Sequence, residues 1–392
     1  MAQLKFEKHC VFAFILRLLL IAYGNFHDKY FNVSYTDVDY KVFTDASRLL
    51  INGESPYERH TYRYSPLLAI LLAPNILIHR DIGKLIFSII DIIVGLLIKK
   101  ILKQRKCIDK LSDICALTWL YNPLTIVIST RGNADSLAVL FVLLTIYYLL
   151  NDSPLLSGIL HGLSIHFRLY PIAFSLVMYL AIRNRNDKWF LLPNKKQIKL
   201  VAGCILSITI LTSFFYYIYG YKFIYESLIY HLIRNDSRHN FSIYFYMLYL
   251  TTGKKLIIAI RILRVLPQII LLIGLSFKYS NKHDLSFSML TQAMVMVTYN
   301  SVITSQYFFW YLSLLPISLP FIKMNNYKIF ILTLIWIIGQ TIWLYFAYLL
   351  EFFGINTFTS IWMSSLLFFF INIKILIDVI KHYDGSVEKI KS

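Results

Sequence analysis

A chain of 392 residues that is 57% hydrophobic, with a mean hydropathy of +0.60, carries more apolar sequence than a soluble core needs. Its apolar residues come in blocks near bilayer length, so the fold class is an all-α polytopic membrane protein, a multi-span helical bundle. The net charge of +18 is spread through short loops between those blocks, a distribution that orients membrane helices and argues against nucleic acid as a partner.

In chain order, Met1–Lys8 is mildly basic and no cleavage pattern follows the first apolar run, so His9–Gly24 reads as a retained first helix with a cytosolic N-terminus. The loop after it, about residues 25–65, then lies on the lumenal side. Within it Val42, Phe43, Ala46, Leu49 and Leu50 recur at helical spacing, with Lys41, Asp45 and Arg48 opposite. That pattern predicts an interfacial amphipathic helix stopped by Asn52-Gly53 and preceded by Asp37 and Asp39, whose charged forms its dipole favours. Pro66–Ile78 contains Pro74 and is too short to span, so it reads as a re-entrant or interfacial hairpin, with Lys84–Ile101 as the second span.

Only that assignment leaves the basic cluster Lys99, Lys100, Lys103, Arg105, Lys106 and Lys110 in the cytosol. Further spans are expected at Leu111–Ser129, Ala134–Leu150, Leu155–Ile165, Leu169–Ile182 and Leu200–Tyr219. About five apolar segments follow, with Ser305–Tyr311 at a lumenal turn, giving one domain over 1–392 with about ten to twelve spans. Asn32-Val-Ser and Asn240-Phe-Ser are glycosylation sequons in segments assigned to the lumen. The four cysteines form no CxxC pair, which argues against a disulfide framework or a zinc site.

The polar residues of the lumenal segments each admit two readings. Asp37 and Asp39 are either solvated or helix-capping acids, or a pair that binds a metal or supplies a base and its orienting neighbour. Arg63 is an interface anchor or a fork for phosphate. His166 and Arg168 mark a helix break or a cationic pocket for a lipid phosphate, and Arg234, Arg238 and His239 offer a second cationic patch. Asn133 and Asp135 cap the following helix or contact substrate, and Gln306 sits among aromatics that form a membrane belt or a sugar platform.

The run Tyr35-Thr-Asp-Val-Asp-Tyr-Lys-Val-Phe-Thr-Asp-Ala46, with Tyr62-Arg-Tyr-Ser-Pro66 after it, resembles the first lumenal loop of the PIG-M family of GPI mannosyltransferases. Similar too are Ser129-Thr-Arg-Gly-Asn-Ala-Asp-Ser136, His166-Phe-Arg-Leu-Tyr-Pro171, Arg238-His-Asn-Phe-Ser242 and Thr304-Ser-Gln-Tyr-Phe-Phe-Trp-Tyr-Leu312, so the resemblance runs over nearly the whole chain. At Arg168 the family pattern is expected to tolerate lysine, which keeps a cation there.

The resemblance implies a GT-C type bundle in the endoplasmic reticulum membrane with a lumenal active site. It also implies transfer of the first mannose, in α1,4 linkage, from dolichyl-phosphate mannose to glucosaminyl(acyl)phosphatidylinositol, and a small stabilising subunit of the PIG-X type. On that reading Asp37 is the base and Asp39 its neighbour, or the reverse. Arg63, His166, Arg168, Arg234, Arg238 and His239 face the donor phosphate, and Asn133, Asp135 and Gln306 face the acceptor.

The chemistry is consistent with this. No Gly-rich nucleotide loop is present, and a sugar leaving on a phosphate needs a base and a cation but no general acid. A divalent metal is compatible with the scheme and not required by it. The competing readings are another polyprenyl-phosphate-sugar transferase, a lipid transporter or scramblase, and a non-catalytic assembly subunit. The transporter reading expects paired broken helices in two halves, and the acidic loop after the first helix has no second copy.

Overall fold

The computed structural model describes residues 5–183, 192–233, 240–251 and 258–385. Its regular elements are helices, with one isolated bridge between Ile322 and Tyr383. The chain divides into two compact units, one ending at Ile233 and one beginning at Arg234.

In the first unit α1 (Phe6–Tyr30) is followed by α2 (Val38–Ile51), the predicted amphipathic helix. Tyr40, Val42, Phe43, Ala46 and Ser47 are its buried face, while Lys41 and Arg48 are exposed, and the helix ends at Asn52 as expected. Its start differs from the expectation in one respect: Asp37 is the N-cap, but Asp39 lies inside the first turn.

The stretch Pro66–Ile78, expected as a hairpin, is a short apolar helical segment in which α3 (Pro66–Leu71) and α4 (Pro74–Leu77) follow one another across Leu72–Ala73, and the expected second span Lys84–Ile101 falls within the helix α5 (Ile82–Gln104). The stretch expected to be one span over Leu111–Ser129 is instead two helices, α6 (Asp109–Leu120) and α7 (Pro123–Thr130), bent by 49°. The cause is local. Pro123 cannot continue a helix from the preceding turn, and the Asn122 side chain caps a new one by accepting from the Leu124 amide.

The unit continues with α8 (Asp135–Leu150), α9 (Pro154–Phe167), α10 (Ser175–Ala181), α11 (Lys195–Ile224) and α12 (Tyr230–Ile233). The residues from Leu169, expected to open a span, form a tight 3-10 turn over Tyr170–Phe174 before α10. α9 and α11 approach until their backbones touch. A Cβ on Gly158 would fall 2.1 Å from the Leu200 carbonyl oxygen, and one on Gly203 would fall 2.4 Å from that of Leu155. Small residues at such a crossing let dispersion contacts hold helices together where lipid supplies no hydrophobic drive.

Inside the bundle Arg17 Nε meets Asp91 Oδ2 at 3.2 Å with both side chains fully buried, and Arg17 also donates to the Leu120 carbonyl. A charge at this depth persists because its partner and backbone acceptors replace water.

The second unit holds α13 (Phe245–Leu250), α14 (Ile258–Lys278), α15 (Leu285–Thr298), α16 (Phe308–Leu312), α17 (Leu315–Ser318), α18 (Asn326–Phe353) and α19 (Phe358–Lys381). α15 is buried at every residue, and polar side chains on it are bonded inside the unit: Gln292 Nε2 donates to Ser276 Oγ at 2.8 Å and Thr291 Oγ1 to the Ser288 carbonyl at 2.9 Å. Asn240, in the second sequon, faces inward. It is fully buried, accepts from the Ser242 and Ile303 amides and donates to the Ser301 carbonyl, so its sequon is closed to glycosylation in the folded chain. Asn32 is exposed.

Among the described residues four helices are long and apolar enough to cross a membrane: α1, Lys195–Ile229, α18 and α19. The bent pair α6–α7 makes a fifth. Shorter apolar helices cover Pro66–Leu77, Asp135–Leu150, Tyr170–Ala181 and Leu285–Thr298. The chain is an all-α, multi-pass membrane protein.

Candidate active site

The loop between α1 and α2 is fixed before it reaches Asp37. The Asp28 carboxylate accepts from the Tyr35 and Thr36 amides, and the Tyr35 hydroxyl meets Thr130 Oγ1 at 2.7 Å. Lys84, only 2% exposed, donates to Thr36 Oγ1 at 2.8 Å while paired with Asp81 at 3.2 Å. The Asp37 amide itself donates to the Arg131 carbonyl at 2.9 Å. Backbone on either side of Asp37 is thus pinned to α1, α5 and the end of α7.

From Asp37 the contacts run in a closed ring of side chains. Asp37 Oδ2 accepts from Asn133 Nδ2 at 3.3 Å, and Asn133 Oδ1 accepts from the Asp135 amide at 3.1 Å. Asp135 Oδ1 pairs with Arg168 Nη2 at 3.1 Å, and the Arg168 guanidinium lies 4.8 Å from the centre of the Tyr64 ring. The Tyr64 hydroxyl donates to Asp39 Oδ2 at 2.7 Å, and the Asp39 amide donates to Asp37 Oδ1 at 3.1 Å, closing the ring.

Asp37, Asp39 and Tyr64 are half-buried, whereas Asn133 is fully buried and Asp135 2% exposed. Burial, and then the charge of Asp39, push the Tyr64 phenol well above its usual range, so it remains a donor to that carboxylate.

This ring brings together Asp37, Asp39, Asn133, Asp135 and Arg168, residues that sequence reading had placed in three separate segments. Asn133 acts inward, between Asp37 and the start of α8, so the capping alternative describes its amide oxygen. Arg63 does not stand open: it is ion-paired with Glu226 and lies 4.2 Å from the centre of the Tyr230 ring. His166 is 5% exposed, meets Ser65 Oγ at 3.1 Å through Nδ1 and stacks on Phe215, so its neighbours are the loop and the α9–α11 packing.

Arg234, Arg238 and His239 lie outside the described residues. Gln306 belongs to the second unit, in the turn Ser305–Tyr307, where Tyr307 stacks on Trp310 with ring centres 4.4 Å apart. Among the described residues no group of three or more His, Cys, Asp and Glu side chains could hold a metal ion.

Sequence reasoning missed Tyr64, Thr36, Lys84 and Asp28 as parts of the site. Tyr64 carried a signal, since it sits inside the Tyr-Arg-Tyr-Ser-Pro motif. The buried Lys84 carried one as well, a charge at the start of an apolar helix three residues after Asp81. Chemically, the ring presents two adjoining half-buried carboxylates beside a guanidinium held by a third. That set suits removal of a proton from a hydroxyl next to a phosphate leaving group.

Residues 128–380 match the family model described as mannosyltransferase (PIG-M). A GPI mannosyltransferase 1 of Dictyostelium discoideum is 42% identical over 94% of this chain and 90% of its own length. The GPI alpha-1,4-mannosyltransferase I catalytic subunit of Danio rerio is 41% identical over 95% of both chains. GPI mannosyltransferase 1 of Saccharomyces cerevisiae is 38% identical over 93% of both.

Proposed function

The chain belongs to the PIG-M family of mannosyltransferases and is a GPI mannosyltransferase, and from that premise we propose its donor, linkage, sidedness and machinery. It transfers the first mannose, in α1,4 linkage, from dolichyl-phosphate mannose to glucosaminyl(acyl)phosphatidylinositol on the lumenal side of the endoplasmic reticulum membrane. Asp37 takes the proton from the acceptor hydroxyl as that oxygen attacks the mannose C1. The C1–O bond to phosphate breaks in the same displacement, and the electron pair leaves with dolichyl phosphate. The departing phosphate already carries its charge well, so no acid is needed, and Arg168 stabilises what develops. One displacement turns a β-linked donor into an α-linked product. No step is assigned to a metal.

The observation that carries this reading is the closed ring, in which Asp37 holds the helix N-terminus and its carboxylate is aimed by Asn133. Asp39 accepts from Tyr64 and orients the pair. The Danio rerio relative is named as a catalytic subunit, which supports a second subunit, and we propose a small membrane partner of the PIG-X type. Purified protein with such a partner is expected to move label from dolichyl-phosphate mannose to glucosaminylphosphatidylinositol. Turnover of a different polyprenyl-phosphate sugar in its place would sink the donor assignment.

Sidedness has its own test. With the four native cysteines replaced, a cysteine at Asn32 and one at Lys110 are expected to label from opposite faces of sealed microsomes, because the basic cluster stays in the cytosol. Labelling of both from one face would overturn the parity on which the lumenal site rests.

A further inference from the structure

The loop that carries Tyr64 is gripped by one segment of the same unit, and the grip centres on a residue next to the site. α11 bends at Gly220, whose φ of +65 is one that other residues rarely adopt, and Tyr225–Ile229 are then wound as a π-helical turn leading into α12. Such turns are often found at functional sites.

From this segment Glu226 pairs with the Arg63 side chain, Tyr230 lies under the Arg63 guanidinium, and His231 Nε2 donates to the Arg63 carbonyl at 2.8 Å. Lys222 holds Glu58 at 2.8 Å nearby. Side chain and backbone of Arg63 are both held, and its neighbour Tyr64 is the residue that donates to Asp39 and covers Arg168.

We propose that residues 220–231 form a latch that sets Tyr64 in the catalytic ring through Arg63, which makes Arg63 and Glu226 positioning residues for transfer. The inference rests on the assignment of the Asp37–Asp39–Arg168 ring as the catalytic site. Arg63 and Glu226 are 20% and 17% exposed, so the pair is reachable by water and a reversed pair can be accommodated. Loss of the latch lets Tyr64 leave Asp39, which slows the chemical step without removing a donor contact.

The test is a set of variants in the reconstituted transfer assay, with melting temperature followed in parallel. Arg63→Glu and Glu226→Arg are each expected to lower kcat by about tenfold or more with donor KM changed by less than about threefold, and the double swap to recover most of the loss. In a Tyr64→Phe background, Arg63→Glu is expected to add less than about twofold, because the two act as one unit. Additive losses, or losses that follow melting temperature alone, would overturn the latch. A rise in donor KM with kcat intact would overturn it too, in favour of Arg63 as a phosphate ligand. Asp37→Asn run alongside keeps the two claims apart. Full activity there removes the catalytic assignment, whereas the Arg63–Tyr64 coupling is read independently of it.

Discussion

Asp37→Asn is expected to lower mannose transfer by about a hundred- to ten-thousand-fold, the range associated with loss of a general base. The substitution separates chemistry from folding unusually well at this position. Asp37 is the N-cap of α2, and asparagine caps a helix about as well as aspartate. The amide oxygen can still accept from the Asp39 amide, and the contact to the Arg131 carbonyl is made by backbone and does not depend on the side chain. What is lost is the basicity and the acceptor that Oδ2 offers to Asn133 Nδ2, one neutral hydrogen bond worth about 0.5–1.5 kcal/mol. Protein level, melting temperature and association with the proposed partner subunit should therefore stay near normal. If Asp37→Asn transfers normally while Asp39→Asn is inactive, the roles within the pair are reversed. If both transfer normally, the ring is not the catalytic site.

The second large effect is expected at Arg168, where two roles are superimposed. Arg168→Ala removes the cation proposed to meet the donor phosphate and also strands Asp135, a carboxylate with 2% exposure, without its partner. Breaking such a pair by deleting one member costs about 3–5 kcal/mol of stability. Loss of a charge-assisted hydrogen bond to phosphate adds a fall in donor use of about ten- to a hundred-fold, from roughly 1.5–3 kcal/mol. Arg168→Lys keeps the charge at the same place and is expected to retain much of the activity.

The combination Arg168→Ala with Asp135→Asn separates the two roles. Removing both charges should restore most of the melting temperature, because no uncompensated buried charge remains, while donor use stays low. Recovery of transfer together with stability would show that Arg168 matters only as the counter-ion of Asp135.

Much of this was legible from the sequence because it is local. The amphipathic spacing of Val42, Phe43 and Ala46 gave α2, and Asn52-Gly53 gave its end. Pro74 marked the break between α3 and α4. The break between α6 and α7 was also written locally, as a capping Asn122 followed by Pro123, but the continuous hydropathy of 111–129 masked it. α11 ran past its expected limits at both ends, since its start depends on the Asn194–Gln197 capping box rather than on apolar content.

The site was legible as a set of residues but not as a geometry. No spacing rule joins Asp135 to Arg168, Tyr64 to Asp39 or Arg63 to Glu226. These pairs exist because helix packing brings distant segments to one place. Arg63 is the instructive case: from the sequence it read as an interface anchor or a phosphate fork, whereas the fold supplies a carboxylate and a tyrosine ring for it.

The central claim is a single displacement driven by one carboxylate, and the anomeric configuration of the product tests it most directly. Purified protein, with the proposed partner subunit, would be given β-linked dolichyl-phosphate mannose and glucosaminylphosphatidylinositol, and the new glycosidic bond assigned by its C1–H1 coupling constant. The account predicts an α-linked mannose, formed by the unmodified chain and lost in Asp37→Asn. A β-linked product would require two displacements through a covalent or equivalent intermediate, and would contradict the role given to Asp37.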